Sequence, residues 1–111
     1  MANPDINELA EQLLERSKAH SVDWEDTRAG QEYRVFFPDL ALRISRVEAL
    51  FEDDSTEYRL ELTSNTGRLI ESLVPAPGDH LYHVLSDIFG FAEQYIHDNS
   101  INKALDYLKS S

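Results

Sequence analysis

The stretch Glu32-Tyr33-Arg34-Val35-Phe36-Phe37-Pro38-Asp39-Leu40-Ala41-Leu42-Arg43-Ile44-Ser45-Arg46 decides the fold. Large apolar side chains recur at every second position on both sides of Pro38-Asp39, the period of a half-buried strand. Proline presets the φ angle of a tight turn and aspartate suits the position after it, so two strands joined by a two-residue loop are expected. That loop pairs Phe37 with Leu40, Val35 with Leu42 and Tyr33 with Ile44, placing all six side chains on one face. A slip of one residue would turn the whole apolar set toward solvent, so register and burial are decided together.

Outward from this hairpin, strands are expected over 22–27, 32–37, 40–46, 57–63 and 68–73. Arg28-Ala29-Gly30-Gln31 reads as a four-residue loop that pairs Trp24 with Val35. Asn65-Thr66-Gly67 reads as a three-residue hairpin loop, with glycine in the left-handed region, that pairs Leu62 with Ile70. The longer connection from Arg46 to Glu57 is expected to carry a bulge, because Val47, Ala49 and Phe51 shift the parity. One buried row then reads Trp24, Val35, Leu42, Leu62, Ile70, and its neighbour reads Tyr33, Ile44, Leu60, Ser72.

The flanks have helical spacing instead. Asn3 can cap a first helix with Pro4 at its first position, and Asp5 and Glu8 suit the positive end of its dipole. Ile6, Leu9, Ala10, Leu13 and Leu14 form its apolar stripe. After Pro75-Ala76-Pro77-Gly78, Asp79 is a candidate N-cap, followed by Leu81, Val84, Leu85, Ile88, Ala92, Tyr95 and Ile96 on one stripe. Asp98-Asn99-Ser100 is expected to end this helix, and Ile101, Ala104, Leu105 and Leu108 to make a short last one. The sum is a single α+β domain over 1–111. It has two layers: an antiparallel meander of about five strands, with an N-terminal and two C-terminal helices on one face.

Composition narrows the function classes. The 111 residues are 41% apolar and contain no Cys, which removes disulfides, thiolate metal sites and cysteine nucleophiles together. Ten basic against 21 acidic residues give a formal charge of −11, which argues against unaided binding to nucleic acid or an anionic membrane. No apolar run approaches the ~20 residues of a membrane span and no signal-type apolar region opens the chain, so a cytoplasmic location is expected. No nucleophile-elbow, Walker or dinucleotide glycine pattern occurs, so no catalytic residue and no cofactor are expected. Asp79, His80, His83 and Asp87 lie close together, and His83 and Asp87 are one helical turn apart. Spacing this loose reads as an acidic helix start with solvated imidazoles rather than a metal site.

The solvent face of the meander carries more information. One row reads Glu25, Arg34, Arg43, Glu61, Glu71, and the next Asp23, Phe36, Ala41, Thr63, Leu69, with Leu73 close by. Arg34 and Arg43 directly opposite each other could form a guanidinium fork for an anion, or be neutralised by the flanking glutamates. Phe36, Leu69 and Leu73, rimmed by Arg34, Arg43 and Glu61, form a candidate partner surface, though scattered exposed hydrophobes would read the same way.

The run Asp23-Trp24-Glu25-Asp26-Thr27, then Tyr33-Arg34-Val35-Phe36-Phe37-Pro38, Ile44-Ser45-Arg46 and Tyr58-Arg59-Leu60-Glu61-Leu62 with Gly67 resembles a group of short uncharacterised bacterial proteins. The resemblance covers about residues 9–85. It implies the same helix–meander–helix layout, implies no activity, and draws attention to one polar residue, Arg46.

The expected function is therefore a small acidic, non-enzymatic protein-interaction module: an adaptor, inhibitor or immunity-type partner of a basic protein surface, or a domain that self-associates. Mimicry of nucleic-acid charge is a sharper variant. The alternative is a small anionic-ligand-binding or sensing domain using Arg34, Arg43 or Arg46.

Overall fold

The alternating pattern around Pro38-Asp39 forms two of the five strands of one antiparallel sheet. A computed structural model of the chain describes residues 5–27, 31–47 and 56–110. In chain order the elements are α1 (Ile6–Lys18), β1 (Glu25–Asp26), β2 (Glu32–Phe36), β3 (Leu40–Val47), β4 (Glu57–Ser64), β5 (Leu69–Leu73) and α2 (His80–Lys109). The strands lie in sequence order, each antiparallel to the next, so the sheet is an open meander. Both helices pack on one face, and the fold is α+β.

The two-residue turn sets the expected register. Val35 pairs with Leu42 and Tyr33 with Ile44, and β3 continues to β4 with Leu42 opposite Leu62 and Ile44 opposite Leu60. Leu42, Ile44 and Leu60 are almost completely buried, as are Leu85, Ile88 and Phe89 of α2. Ile6, Ala10, Leu13 and Leu14 complete the core from α1, and Trp24 closes it beyond β1. Aromatic side chains fill one end: Tyr33 lies 5.3 Å and Tyr58 6.0 Å from Phe89, ring centre to ring centre.

Helix α1 starts later than expected. Asp5 is its N-cap, accepting from the Glu8 backbone N–H at 3.0 Å; Asn3 and Pro4 lie outside the described residues. At its other end His20 adopts φ 56°, and the Ser21 N–H donates back to the Arg16 carbonyl at 3.0 Å. This satisfies an orphan carbonyl of the last turn at the cost of a left-handed non-glycine residue.

Three further expectations change. The first concerns β5. The loop with Gly67 at φ 91° pairs Thr63 with Leu69 as expected, but the register then shifts by one and Leu62 faces Glu71. Ile70 is the extra residue and is exposed. Beyond this bulge every side chain changes face. Ser72, not Glu71, joins the row of Arg43 and Glu61. Leu73, not Ser72, faces Leu60, where it packs against the core. The shift places an apolar residue opposite the deeply buried Leu60, where the unbulged register would put a serine hydroxyl. The β3–β4 pairing is regular from Leu40–Ser64 to Val47–Glu57, so the bulge expected between Arg46 and Glu57 does not lie at Arg46 or Val47, and Val47 is exposed. Ala49 and Phe51 lie outside the described residues.

The second is the C-terminal region, which is one helix, α2, rather than two. Asp98, Asn99 and Ser100 are poor helix formers, but together they cost less than about 2 kcal/mol relative to alanine. A break there would instead leave backbone groups of two new helix ends to be satisfied. The Gln94 side-chain amide, donating to Asp98 Oδ1 at 2.9 Å, bridges one turn across this segment. The third is β1, where the strand is Glu25–Asp26 rather than the expected 22–27; the Thr27 backbone N–H still donates to the Glu32 carbonyl at 3.4 Å, and Val22 and Trp24 remain buried.

Candidate functional site

The face of the sheet opposite the helices is covered by no described element, and the strand register places its residues in two rows. The first runs Glu25, Arg34, Arg43, Glu61, Ser72 and the second Phe36, Ala41, Thr63, Leu69. Of the expected partner-binding residues, Phe36, Leu69, Arg34, Arg43 and Glu61 share this face. Leu73 does not, because the bulge at Ile70 turns it inward.

In the charged row the two arginines have different settings. Arg43 is held twice: its Nε lies 2.9 Å from Glu32 Oε1 and its Nη2 3.1 Å from Glu61 Oε1. Both carboxylates are mostly buried, so the guanidinium is committed within the sheet. Arg34 stands 3.9 Å from Glu25 and lays its guanidinium over the Phe36 ring, 4.8 Å from the centroid. Such stacking covers part of an apolar ring while the charge stays in water. The like-charged Arg34–Arg43 pairing is thus neutralised by three glutamates.

In the second row two large apolar residues flank two small ones. Phe36 and Leu69 are 49% and 52% exposed, whereas Ala41 and Thr63 between them are buried. The result is a shallow trough. A depression of about 310 Å³ lies beside Phe36, floored by Ala41 and Thr63 and bounded by Arg34, Arg43 and the turn residues 64–67. Its walls are apolar and cationic, and its rim includes hydroxyls, of which Ser64 and Thr66 share a hydrogen bond of 2.9 Å.

Arg46 lies on the other face. Its guanidinium sits 4.6 Å over the Phe89 ring, its Nε donates to Gln31 Oε1, and its backbone N–H donates to the Gln31 carbonyl at 3.0 Å. Arg46 therefore caps the aromatic end of the core, a role invisible until α2 is laid across the sheet. The three arginines of the anion reading do not converge. Of the histidines, His80 joins Glu11 of α1 through Nε2 at 2.8 Å, and His83 is exposed. Among the described residues no group of three or more metal-ligating side chains is gathered. No described helix is long and apolar enough to cross a membrane.

A second, larger concavity of about 700 Å³ lies between β1 and the C-terminal half of α2, lined by Trp24, Glu25, Asp26, Asn99, Ser100 and Lys103 among others. Its lining mixes both charges and has no dominant sign. No protein-family model, no curated protein and no solved structure matches the chain.

Proposed function

We propose that the chain is a small acidic, non-enzymatic protein-interaction module whose partner meets the open face of the sheet. One observation carries the reading: Phe36 and Leu69 stand half exposed on either side of the buried Ala41–Thr63 floor, on a face that no described element covers. An apolar patch rimmed by charge is the usual form of a contact surface. With Arg43 held by Glu32 and Glu61, the face offers no free pair of guanidinium groups, which favours a protein over a small anion. The formal charge of −11 would speed encounter with a basic partner surface. An apolar side chain of that partner would enter the trough, and a flanking lysine or arginine would meet the exposed carboxylate of Glu25.

The test is Phe36→Asp with Leu69→Asp in one chain. The double variant gains negative charge, so generic ionic capture of basic proteins would rise, and only a contact through this face would be lost. Thermal melts check the fold, and capture from host lysate at low and high salt, with mass spectrometry, reads the contact. A basic protein held by the wild type and lost in the folded variant supports the proposal. Retention of the same proteins by the folded variant overturns it.

A further inference from the structure

Helix α2 has two apolar faces on opposite sides. Each residue of an α-helix turns the direction of its side chain by about 100°. Val84, Leu85, Ile88 and Ala92 therefore point one way, toward the sheet, and all are buried. Tyr95 continues that side and ties it to the sheet end of the chain, its hydroxyl donating to Asp23 Oδ1 at 2.9 Å. Beyond this anchor the sheet side of α2 becomes polar: Asn99, Ser100 and Lys103 face β1 across the larger concavity.

The apolar residues move to the other side. Ile101, Leu105 and Leu108 fall within about 60° of one another, and their centre lies about 150° from that of the core stripe. Because α2 continues unbroken to Lys109, this second stripe is directed away from the domain. Its members are 50%, 45% and 72% exposed, and every residue from 97 to 110 is exposed. An overhang of this length spans about 20 Å, and a lone helix that short is marginal in water.

We propose that the overhang of α2 pairs antiparallel with the same segment of a second copy of this chain. Charge singles out this occupant. The chain carries −11, so two copies repel over most of their surface. Residues 97–110 contain Asp98 and Asp106 against Lys103 and Lys109, and are locally neutral. The flank of the stripe is also self-complementary. Asp98 and Lys109 lie about three turns apart on the same side of it. An antiparallel copy brings Asp98 opposite the other copy's Lys109 twice, once at each end of the seam. On the other flank the small Ala104 lets the two helices approach closely. A seam of about three turns is small beside stable dimer interfaces, so the association depends on concentration. It uses a surface other than the open sheet face and stands independently of the proposed function.

Sedimentation of the intact chain over a range of micromolar to millimolar concentration tests it. Wild type is expected to shift from monomer to dimer with rising concentration. Leu105→Asp is expected to weaken that association at least about tenfold while leaving the dilute melting temperature unchanged. Asp98→Lys and Lys109→Asp are each expected to weaken it, and the two together to restore it, because the exchange preserves the pairing. Both positions are exposed, so this exchange decides the register even where Leu105→Asp perturbs folding. A chain monomeric at every concentration, or a double exchange no better than its single members, overturns the proposal. So does a loss of dimer caused by Phe36→Asp with Leu69→Asp while Leu105→Asp leaves it intact.

Discussion

Exchanging the fates of Ile70 and Leu73 is the sharpest consequence of the bulge in β5. In an unbulged hairpin Ile70 would face Leu62 in the core and Leu73 would point to solvent; in the structure Leu73 faces Leu60 and Ile70 is exposed. Truncating a fully buried leucine to alanine costs roughly 2–5 kcal/mol through lost transfer energy and the cavity left behind. Leu73 is only partly buried at the edge of the cluster, where neighbours can relax and water can enter, so about 1–2 kcal/mol is expected for Leu73→Ala. Ile70→Ala removes a side chain that is already half exposed and should cost about 0.5 kcal/mol or less. For a domain of this size the first change corresponds to a fall of about 5–10 °C in melting temperature, and the second to about 2 °C or less. Urea unfolding followed by the fluorescence of Trp24, the single tryptophan, measures both. A larger loss for Ile70→Ala than for Leu73→Ala would refute the bulge. It would also return Leu73 to the open face.

Two further perturbations probe the charges and the core. Arg43 and Glu61 should be energetically coupled: a double-mutant cycle of Arg43→Met and Glu61→Gln is expected to give about 1 kcal/mol, and coupling near zero would mean that the pair is incidental. The Tyr33 hydroxyl is raised above its ordinary range, first by burial and then by the carboxylates of Glu93 and Asp26, against an opposing pull from Arg46. The unfolded phenol loses its proton first as pH rises past about 10, so this contribution to stability is intact below that pH and is lost as pH climbs through the raised native value. Tyr33→Phe should therefore flatten the alkaline fall in stability, and an unchanged slope would contradict the assignment.

The sheet is legible in the sequence wherever a turn fixes parity. Pro38-Asp39 allows one pairing of β2 with β3, and the alternation of Tyr33, Val35, Leu42, Ile44, Leu60 and Leu62 leaves one buried face. The same alternation places Phe36, Arg34, Arg43, Glu61 and Leu69 together on the other face. The bulge is not legible, because β5 is apolar at both parities: Leu69 and Leu73 on one, Ile70 on the other. Alternation cannot report a shift in a strand that has none. Arg46 is illegible for a different reason. Its partner ring, Phe89, comes from a distant helix, and only the angle at which α2 crosses the sheet brings the two together.

The misreading of α2 and the overhang have one physical origin. Reading Asp98-Asn99-Ser100 as a break lets Ile101, Leu105 and Leu108 turn back to the core, and every apolar residue then has a home. The backbone makes the opposite choice. Continuing the helix preserves its hydrogen bonds and costs only modest propensity, but it carries the last apolar stripe to the side facing away from the sheet. Local backbone energetics thus leave apolar surface unburied in the monomer. The stripe and the trough beside Phe36 lie on opposite sides of the domain, since α2 covers one face of the sheet and the trough opens on the other. Pairing through α2 would therefore leave both troughs free and joined in one assembly. A partner carrying two matching sites would then be held more tightly than the contact at either trough alone provides, through effective concentration rather than new contacts.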